Sequence, residues 1–302
     1  MRTDALVIGG SFAGLSAAIH IARGRRSVCV IDNGRPRNRF ADASHGFFGS
    51  DGSRPLEMIA RAREQVKHYP TVQFVAGEAA TAEPTDDGFA VTLATGVRLE
   101  AAKLLLAFGI SDVLPDIPGM AERWGKSVLH CPYCHGFEFS GRRLGVLQAA
   151  PFSAHQALLI SDWGPTTLYL NGSAPPDAET AVKLAKRGVT IEPVPVAALH
   201  GAGTALASLS LADGRSAEIE ALYLAPRSRL NSRIAEQLGC ALDDGPFGPV
   251  IRTDATKLTS VPGVYAAGDI ARVPHNATWA AADGIQAGVS LHQSLIFEPL
   301  AA

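Results

Sequence analysis

Residues 5–32 read ALVIGGSFAGLSAAIHIARGRRSVCVID, and this stretch decides the fold. Four apolar residues, Ala5 to Ile8, run into a pair of glycines. Residues 13–23 then put small side chains on the packing face of a helix. Residues 27–31 form a second apolar, β-branched run that ends in Asp32. Strand, helix and strand in this order make a βαβ unit, the start of a doubly wound parallel sheet. Gly9-Gly10-Ser11-Phe12-Ala13-Gly14 stands between strand and helix, the context a dinucleotide fingerprint requires. The first glycine permits the tight turn and the last lets the helix pack on the strand. The helix N-terminus offers free N–H groups and its dipole to a pyrophosphate. Ser11 occupies the place where a middle glycine is usual. Asp32 is placed to accept hydrogen bonds from ribose hydroxyls. A glycine loop alone can be plain turn chemistry; strand, helix and acid together favour a nucleotide site.

Outward from this unit, residues 35–54 are polar and loop-like, and residues 56–69 read as a helix. A repeat follows. VTLATGVRLEAAKLLLA at 91–107 resembles LSLADGRSAEIEALYLA at 209–225. Each holds a strand, a turn at Thr95-Gly96 or Asp213-Gly214, a second strand, and an apolar strand at 104–107 or 222–225. Two copies this far apart point to a duplicated nucleotide-binding domain, not a solenoid. The second copy begins near Gly141, with a strand at 144–147, a helix at 153–160 and a strand at 167–170. The expected class is therefore α/β, with two Rossmann-like, three-layer ββα domains. Turn formers at 115–119 and 246–249 mark the crossings. The first domain is expected to be discontinuous, 1–114 with 246–302, around a central domain at 115–245.

The chain has 302 residues, 47% of them hydrophobic and 19% charged, which is a core-forming composition and not a disordered one. A net charge of −2, with no long basic run, argues against nucleic acid or a membrane surface as partner. Met1-Arg2-Thr3-Asp4 is followed by too few apolar residues for a signal-peptide core. No apolar stretch approaches the ~18 residues of a membrane span. The expected compartment is the cytoplasm.

Of the four cysteines, Cys29 lies in an apolar strand and Cys240 follows Leu238-Gly239, so both read as small buried hydrophobes. His130-Cys131-Pro132-Tyr133-Cys134-His135-Gly136 is different. Its two cysteines are close enough for a small disulfide ring or a shared metal. With no second C-x-x-C, and histidines at an unusual spacing, structural zinc is disfavoured and no metal is expected. C-x-x-C-H also reads as a haem attachment signal, which a two-nucleotide-fold chain disfavours, and an inert buried pair is the bland alternative. The redox reading gains from the histidines. A free thiol titrates near ~8.5, and a neighbouring imidazolium lowers that value. Phe47, Phe48, Phe137 and Phe139 read either as core or as the lining of an apolar pocket.

Thr259-Ser-Val-Pro-Gly-Val-Tyr-Ala-Ala-Gly268-Asp269 is a strand of small and apolar residues ending in Gly-Asp. Asp269 is either a helix N-cap or a partner for a flavin's ribityl chain. This segment, with GGSFAG at the start and C-x-x-C between, resembles the low-molecular-weight thioredoxin reductase family over nearly the whole chain. The resemblance implies an FAD domain built from both termini and a central dithiol domain. It places Gly9, Ser11, Phe12, Ala13, Gly14, Asp32, Gly109, Gly268 and Asp269 at the FAD. Asn276 and Ala277 would lie near the flavin ring, and Thr278 onward would form a final helix. It implies Cys134 as the flavin-facing sulfur and Cys131 as the one that exchanges with substrate. His135 takes the place of the family's acidic residue and is assigned the acid/base role, with His130 flanking from the other side. The C-x-x-C-H-G form resembles the dithiol oxidases that close disulfides in gliotoxin and holomycin. Family members are usually dimers, so a homodimer is expected.

One family feature is missing. After strand 144–147 the chain reads Gln148-Ala-Ala-Pro-Phe-Ser153, with no glycine to admit a pyrophosphate. After strand 167–170 it reads Asn171-Gly-Ser-Ala-Pro-Pro176, with no arginine for a 2′-phosphate. The central domain keeps the fold and loses the NADPH site. The expected reaction is oxidation of a dithiol, coupled to FAD, with oxygen or another acceptor. A thioredoxin reductase using NADPH or a donor such as ferredoxin is the rival enzyme, and a redox-sensing flavoprotein the rival of another class. The substrate is a small dithiol or disulfide, or a thioredoxin-like protein.

Overall fold

The computed structural model describes residues Arg2–Phe297; Met1 and residues 298–302, which the sequence reading included, lie outside the described residues. The described residues form two compact units. The first holds the chain up to Arg39, Leu56–Ser111 and everything from Ser228 on. The second holds Phe40–Pro55 and Asp112–Arg227.

The first unit is built on strand Arg2–Ile8, which pairs in parallel with Val28–Asp32 on one side and Arg98–Leu106 on the other. Val72–Ala76 extends the parallel sheet beyond Val28–Asp32. Arg98–Leu106 is long because it serves two partners in turn. Its first half closes an antiparallel meander with Gly88–Leu93 and Ala79–Thr85, and its second half pairs in parallel with Val264–Ala266. Alternation along each strand deals side chains to opposite faces. Ala5, Val7, Val28, Val30 and Leu105 pack with helix Phe12–Arg23 and the last helix, Ala277–Phe297. Leu6, Ile8, Cys29, Ile31, Leu104 and Leu106 pack under the meander with Ile234, Cys240 and Ile251. These are the three layers expected of each domain.

The second unit repeats the plan. Thr190–Glu192, Thr166–Tyr169, Leu144–Leu147, Ala221–Tyr223 and Val128–Leu129 make an all-parallel sheet in that order. Helices Ser153–Ile160 and Ala178–Lys186 supply Ala154, Ala157, Ile160 and Leu184 to one core. The meander Val196–His200, Ser208–Leu211 and Ser216–Glu218 closes the other. Arg123 is only 6% exposed and donates to the carbonyls of Gly119, Gly201 and Ala205, a charged knot that ties this meander to the entering chain.

The chain returns to the first unit earlier than its turn formers suggest. Residues 246–249 are no crossing. They lie at the turn between strands Leu242–Gly245 and Gly248–Ile251, which pair with each other. Ile234, Ala235 and Cys240 are already buried in the first unit's core, so hydrophobic burial fixes the return at Ser228. Residues 40–55, assigned by sequence to the first domain, belong to the second unit.

Helix Phe12–Arg23 and the last helix approach so closely that a Cβ on Gly284 would lie 2.0 Å from the Ala13 carbonyl oxygen. Backbone cannot swing aside as a side chain can. Gly284→Ala is therefore expected to destabilise the first unit by about 1–3 kcal/mol, the usual range for overpacking. Thermal unfolding checks this, each kcal/mol lowering the midpoint by roughly 2–4 °C.

Candidate active site

The nucleotide loop forms as its sequence requires. Gly9 has φ +116°, and a Cβ there would lie 2.1 Å from the Ala107 carbonyl oxygen. Gly10 donates its N–H to the Asp32 carboxylate at 3.2 Å, and a Cβ there would lie 2.7 Å from that carboxyl carbon. The helix that follows begins at Phe12. Ser11 makes no side-chain capping bond and no acidic residue stands in the first turn, so an anion meets no competing charge from the helix itself. Asp32 also accepts from Arg63 at 3.3 Å, and the Arg63 guanidinium lies 4.4 Å from the Phe74 ring centroid. A cleft of about 420 Å³ opens here, lined by Asp32, Asn33, Arg35, Arg63, Gly77 and Glu78. Bare backbone at the loop, an uncapped helix start and a carboxylate at the strand end fit the pyrophosphate and adenosine of FAD.

Gly268 lies against the same helix, where an added Cβ would be 3.0 Å from that of Ala13. Next to it Asp269 accepts from Arg37 at 2.9 Å. Asn276 is the cap of the last helix: its side-chain oxygen accepts from the Thr278 N–H at 2.8 Å, and Ala277 opens the helix. Gly109, at φ +69°, sits in the turn after Leu106, where its carbonyl accepts from the Asn231 N–H at 3.1 Å. Sequence reading missed Arg37 and Arg63, because neither stands in a motif; each is recognisable only by the carboxylate it reaches.

In the second unit strand Val128–Leu129 delivers the dithiol at its C-terminal end. Cys131 and Cys134 are disulfide-bonded, with Cα atoms 5.3 Å apart. Cys131 is the N-cap of the one-turn helix Pro132–His135, with proline in the first position where its missing N–H costs nothing. The Cys134 N–H donates to the Cys131 sulfur at 3.2 Å. That bond strengthens when the acceptor is a thiolate, so the local backbone favours charge on Cys131.

The two flanking histidines differ. The His130 ring turns to the Leu224 carbonyl at 3.4 Å, and its own carbonyl accepts from Gln156 at 3.0 Å. His130 thus anchors the dithiol segment to the sheet. The His135 pKa lies below its ordinary value because burial disfavours the cation, and His45 lowers it further while Glu138 opposes both. Its surroundings thus favour the neutral imidazole over the cation. Tyr223, fully buried, reaches the His135 carbonyl at 3.4 Å.

His45 comes from the loop at residues 43–51. Its Nε2 is 3.3 Å from Glu138 and its Nδ1 3.6 Å from Asp51, and its ring meets that of His135 edge-on with centroids 6.4 Å apart. No sequence motif announced this residue. Phe48 and Phe137 are 97% and 83% exposed and Tyr133 72%, so the core reading fails for both phenylalanines. Cys29 and Cys240 are buried, as expected. Among the described residues no cluster of His, Cys, Asp or Glu can hold a metal, and no helix is long and apolar enough to cross a membrane.

A family model described as pyridine nucleotide-disulphide oxidoreductase matches residues 3–156 and 171–284. The chain is 37% identical to a protein named thioredoxin reductase tcpT from Claviceps purpurea, over 94% of this chain and 92% of that one. An oxidoreductase from Agrobacterium tumefaciens has a similar structure, with a TM-score of 0.95, 43% identity, and 99% and 100% of the two chains covered. The structure of HlmI is similar too, with a TM-score of 0.90, 36% identity, and 97% and 92% covered.

Because the Gly10 N–H faces Asp32, Gly10→Val is expected to drive the loop and carboxylate apart. The variant should keep its far-ultraviolet circular dichroism and lose about tenfold or more of its retained flavin, read as the ratio of visible to protein absorbance.

Proposed function

From the premise that the chain belongs to the pyridine nucleotide-disulphide oxidoreductase family, we propose that it oxidises a dithiol to a disulfide without drawing on NADPH. The protein is an FAD-dependent disulfide oxidoreductase of the thioredoxin reductase type. The FAD, when bound, supplies two-electron redox chemistry.

One observation carries the finer reading. In the second unit, the loop that leads from strand Leu144–Leu147 into helix Ser153–Ile160 closes on itself. The N–H groups of Ala149 and Ala150 both donate to Ser153 Oγ, at 3.2 and 3.1 Å. Ser153 is fully buried. Donors that would face a pyrophosphate are thereby occupied, and no glycine gives access in their place. After strand Thr166–Tyr169, Asn171 accepts from the Val196 N–H at 3.1 Å, in a segment without arginine. A 2′-phosphate would find no charged partner there.

In the proposed cycle a substrate thiol loses its proton to His135 and attacks Cys131. The Cys134 N–H holds charge on the Cys131 sulfur when that sulfur is displaced in its turn. The exposed Tyr133 and Phe137 beside the dithiol favour a substrate with apolar surface. A small dithiol is the substrate class these residues serve, with oxygen or another acceptor taking the electrons. A second reading is supported by the relative's name: a reductase that takes electrons from NADPH or a ferredoxin-like donor and passes them to a thioredoxin-like partner. The cytoplasm suits two buried free thiols. A homodimer is supported by Ile285, Val289 and Ile296, apolar and exposed at helical spacing on the last helix; sedimentation reads it directly.

Anaerobic addition of NADPH is expected to leave the flavin spectrum unchanged, while a dithiol bleaches it. Rapid stoichiometric bleaching by NADPH overturns the finer reading in favour of the reductase.

His135→Ala is expected to cost roughly 10²–10⁴-fold in dithiol turnover near neutral pH. The deficit should shrink above ~8.5, where thiols ionise unaided. Because burial lowers the His135 pKa, the wild-type rate should fall on acidification only below the usual ~6.5 of histidine. Cys131→Ser and Cys134→Ser should abolish turnover at every pH.

A further inference from the structure

We infer that His45 is the proton outlet of the dithiol centre, a positioning residue that acts through Glu138 and His135. The inference rests on the dithiol reading above. Disulfide exchange with a dithiol releases two protons. The first substrate thiol is deprotonated and its sulfur bonds to Cys131; the Cys131–Cys134 bond breaks and Cys134 leaves as thiolate. The second substrate thiol is deprotonated and attacks the substrate sulfur held on Cys131. The substrate disulfide forms and Cys131 leaves as thiolate. Two substrate sulfurs are oxidised, two protein sulfurs are reduced, and two protons must go elsewhere.

His135 takes one proton at a time, and burial disfavours its cation. It must therefore be relieved between the two steps. His45 is built to do this. An imidazole accepts a proton at one nitrogen and releases one from the other. The two nitrogens of His45 face two carboxylates, Glu138 at 3.3 Å on the dithiol side and Asp51 at 3.6 Å on its own loop. Side-chain exposure is 41% at Glu138, 25% at His45 and 72% at Asp51, so the loop end of the path is the most open to solvent. Asp51 is fixed in turn by the Gly46 N–H at 2.8 Å. The titratable groups facing this path are Asp51 from the loop, Glu138 from the turn Phe137–Phe139, His135 from the dithiol helix, and Tyr223 from the sheet. The Tyr223 hydroxyl is held protonated by burial and by the charge of Glu138, so it does not compete as a base.

The test uses oxidised holoenzyme and dithiothreitol, mixed anaerobically and quenched with an alkylating agent that counts reduced Cys131 and Cys134. Rates are taken for wild type, His45→Ala, His45→Gln and Glu138→Gln across pH and buffer concentration. Wild type should be insensitive to buffer concentration. Each variant should be slower by about tenfold or more near neutral pH, recover with added imidazole, and match wild type above ~8.5. Glu138→Gln keeps the test alive if the His45 variants do not fold. Variant rates equal to wild type overturn the inference, as does a uniform loss at all pH values with no rescue by imidazole, the mark of a merely structural residue. A wild-type dithiol inert to dithiothreitol overturns the dithiol reading itself, a different failure from an active wild type with unaffected variants.

Discussion

The first unit depends on one close contact, the carbonyl of Ala13 against the backbone of Gly284. The chain leaves this unit after Ser111 and comes back at Ser228, so its sheet and its cofactor loop are joined by elements from opposite ends of the sequence. Side chains of ordinary size would hold the two helices apart. Glycine at one helix and small residues on the other bring the backbones together, so that Ala17, Ala18 and Ala287 share a dry core with Val7, Val30 and Leu105. The same closeness sets Gly268 beside Ala13, and so sets Asp269 relative to the glycine loop.

Much of this was legible in the chain. A strand buried on both faces leaves an unbroken apolar run, and a helix leaves a periodic one. Strand Leu144–Leu147 and helix Ser153–Ile160 were readable to the residue, as was the likeness of the two meanders. What escaped was set by distance. The return to the first unit was misread because Pro246 and Gly248 look like a crossing, whereas the burial of Ile234 and Cys240, which decides the matter, depends on strands more than a hundred residues earlier in the chain. His45 was invisible for the same reason: its loop has no period, and Glu138 stands in another part of the sequence. The direction of the His135 pKa could not be read from its motif either, since burial lowers it most and His45, distant in sequence, lowers it further.

The dithiol centre shows how little chain a redox site needs when the surrounding sheet is rigid. One turn of helix provides the disulfide, a backbone donor for the sulfur and a flanking histidine. Strand Val128–Leu129 and the Gln156 bond to the His130 carbonyl hold that turn at the sheet's end. The first unit makes its own site in the same way, from a loop at strand ends. The two sites are chemically unlike, but both use the exposed N–H groups that appear wherever a parallel strand turns into a helix.

Ser153 holds the loop of the second unit closed. Its hydroxyl accepts two loop N–H groups in a fully buried position. Exchange it for alanine, and both donors lose their acceptor before any phosphate is present to replace it, at a cost of about 1–3 kcal/mol for each buried group left unsatisfied. Admit a phosphate, and the loop still lacks a glycine, and the next strand still lacks an arginine. No single step in that series improves binding while the others are undone. On the proposed reading, the hydroxyl that closes this loop is the group a phosphate would have to displace, so reopening the loop passes through less stable forms.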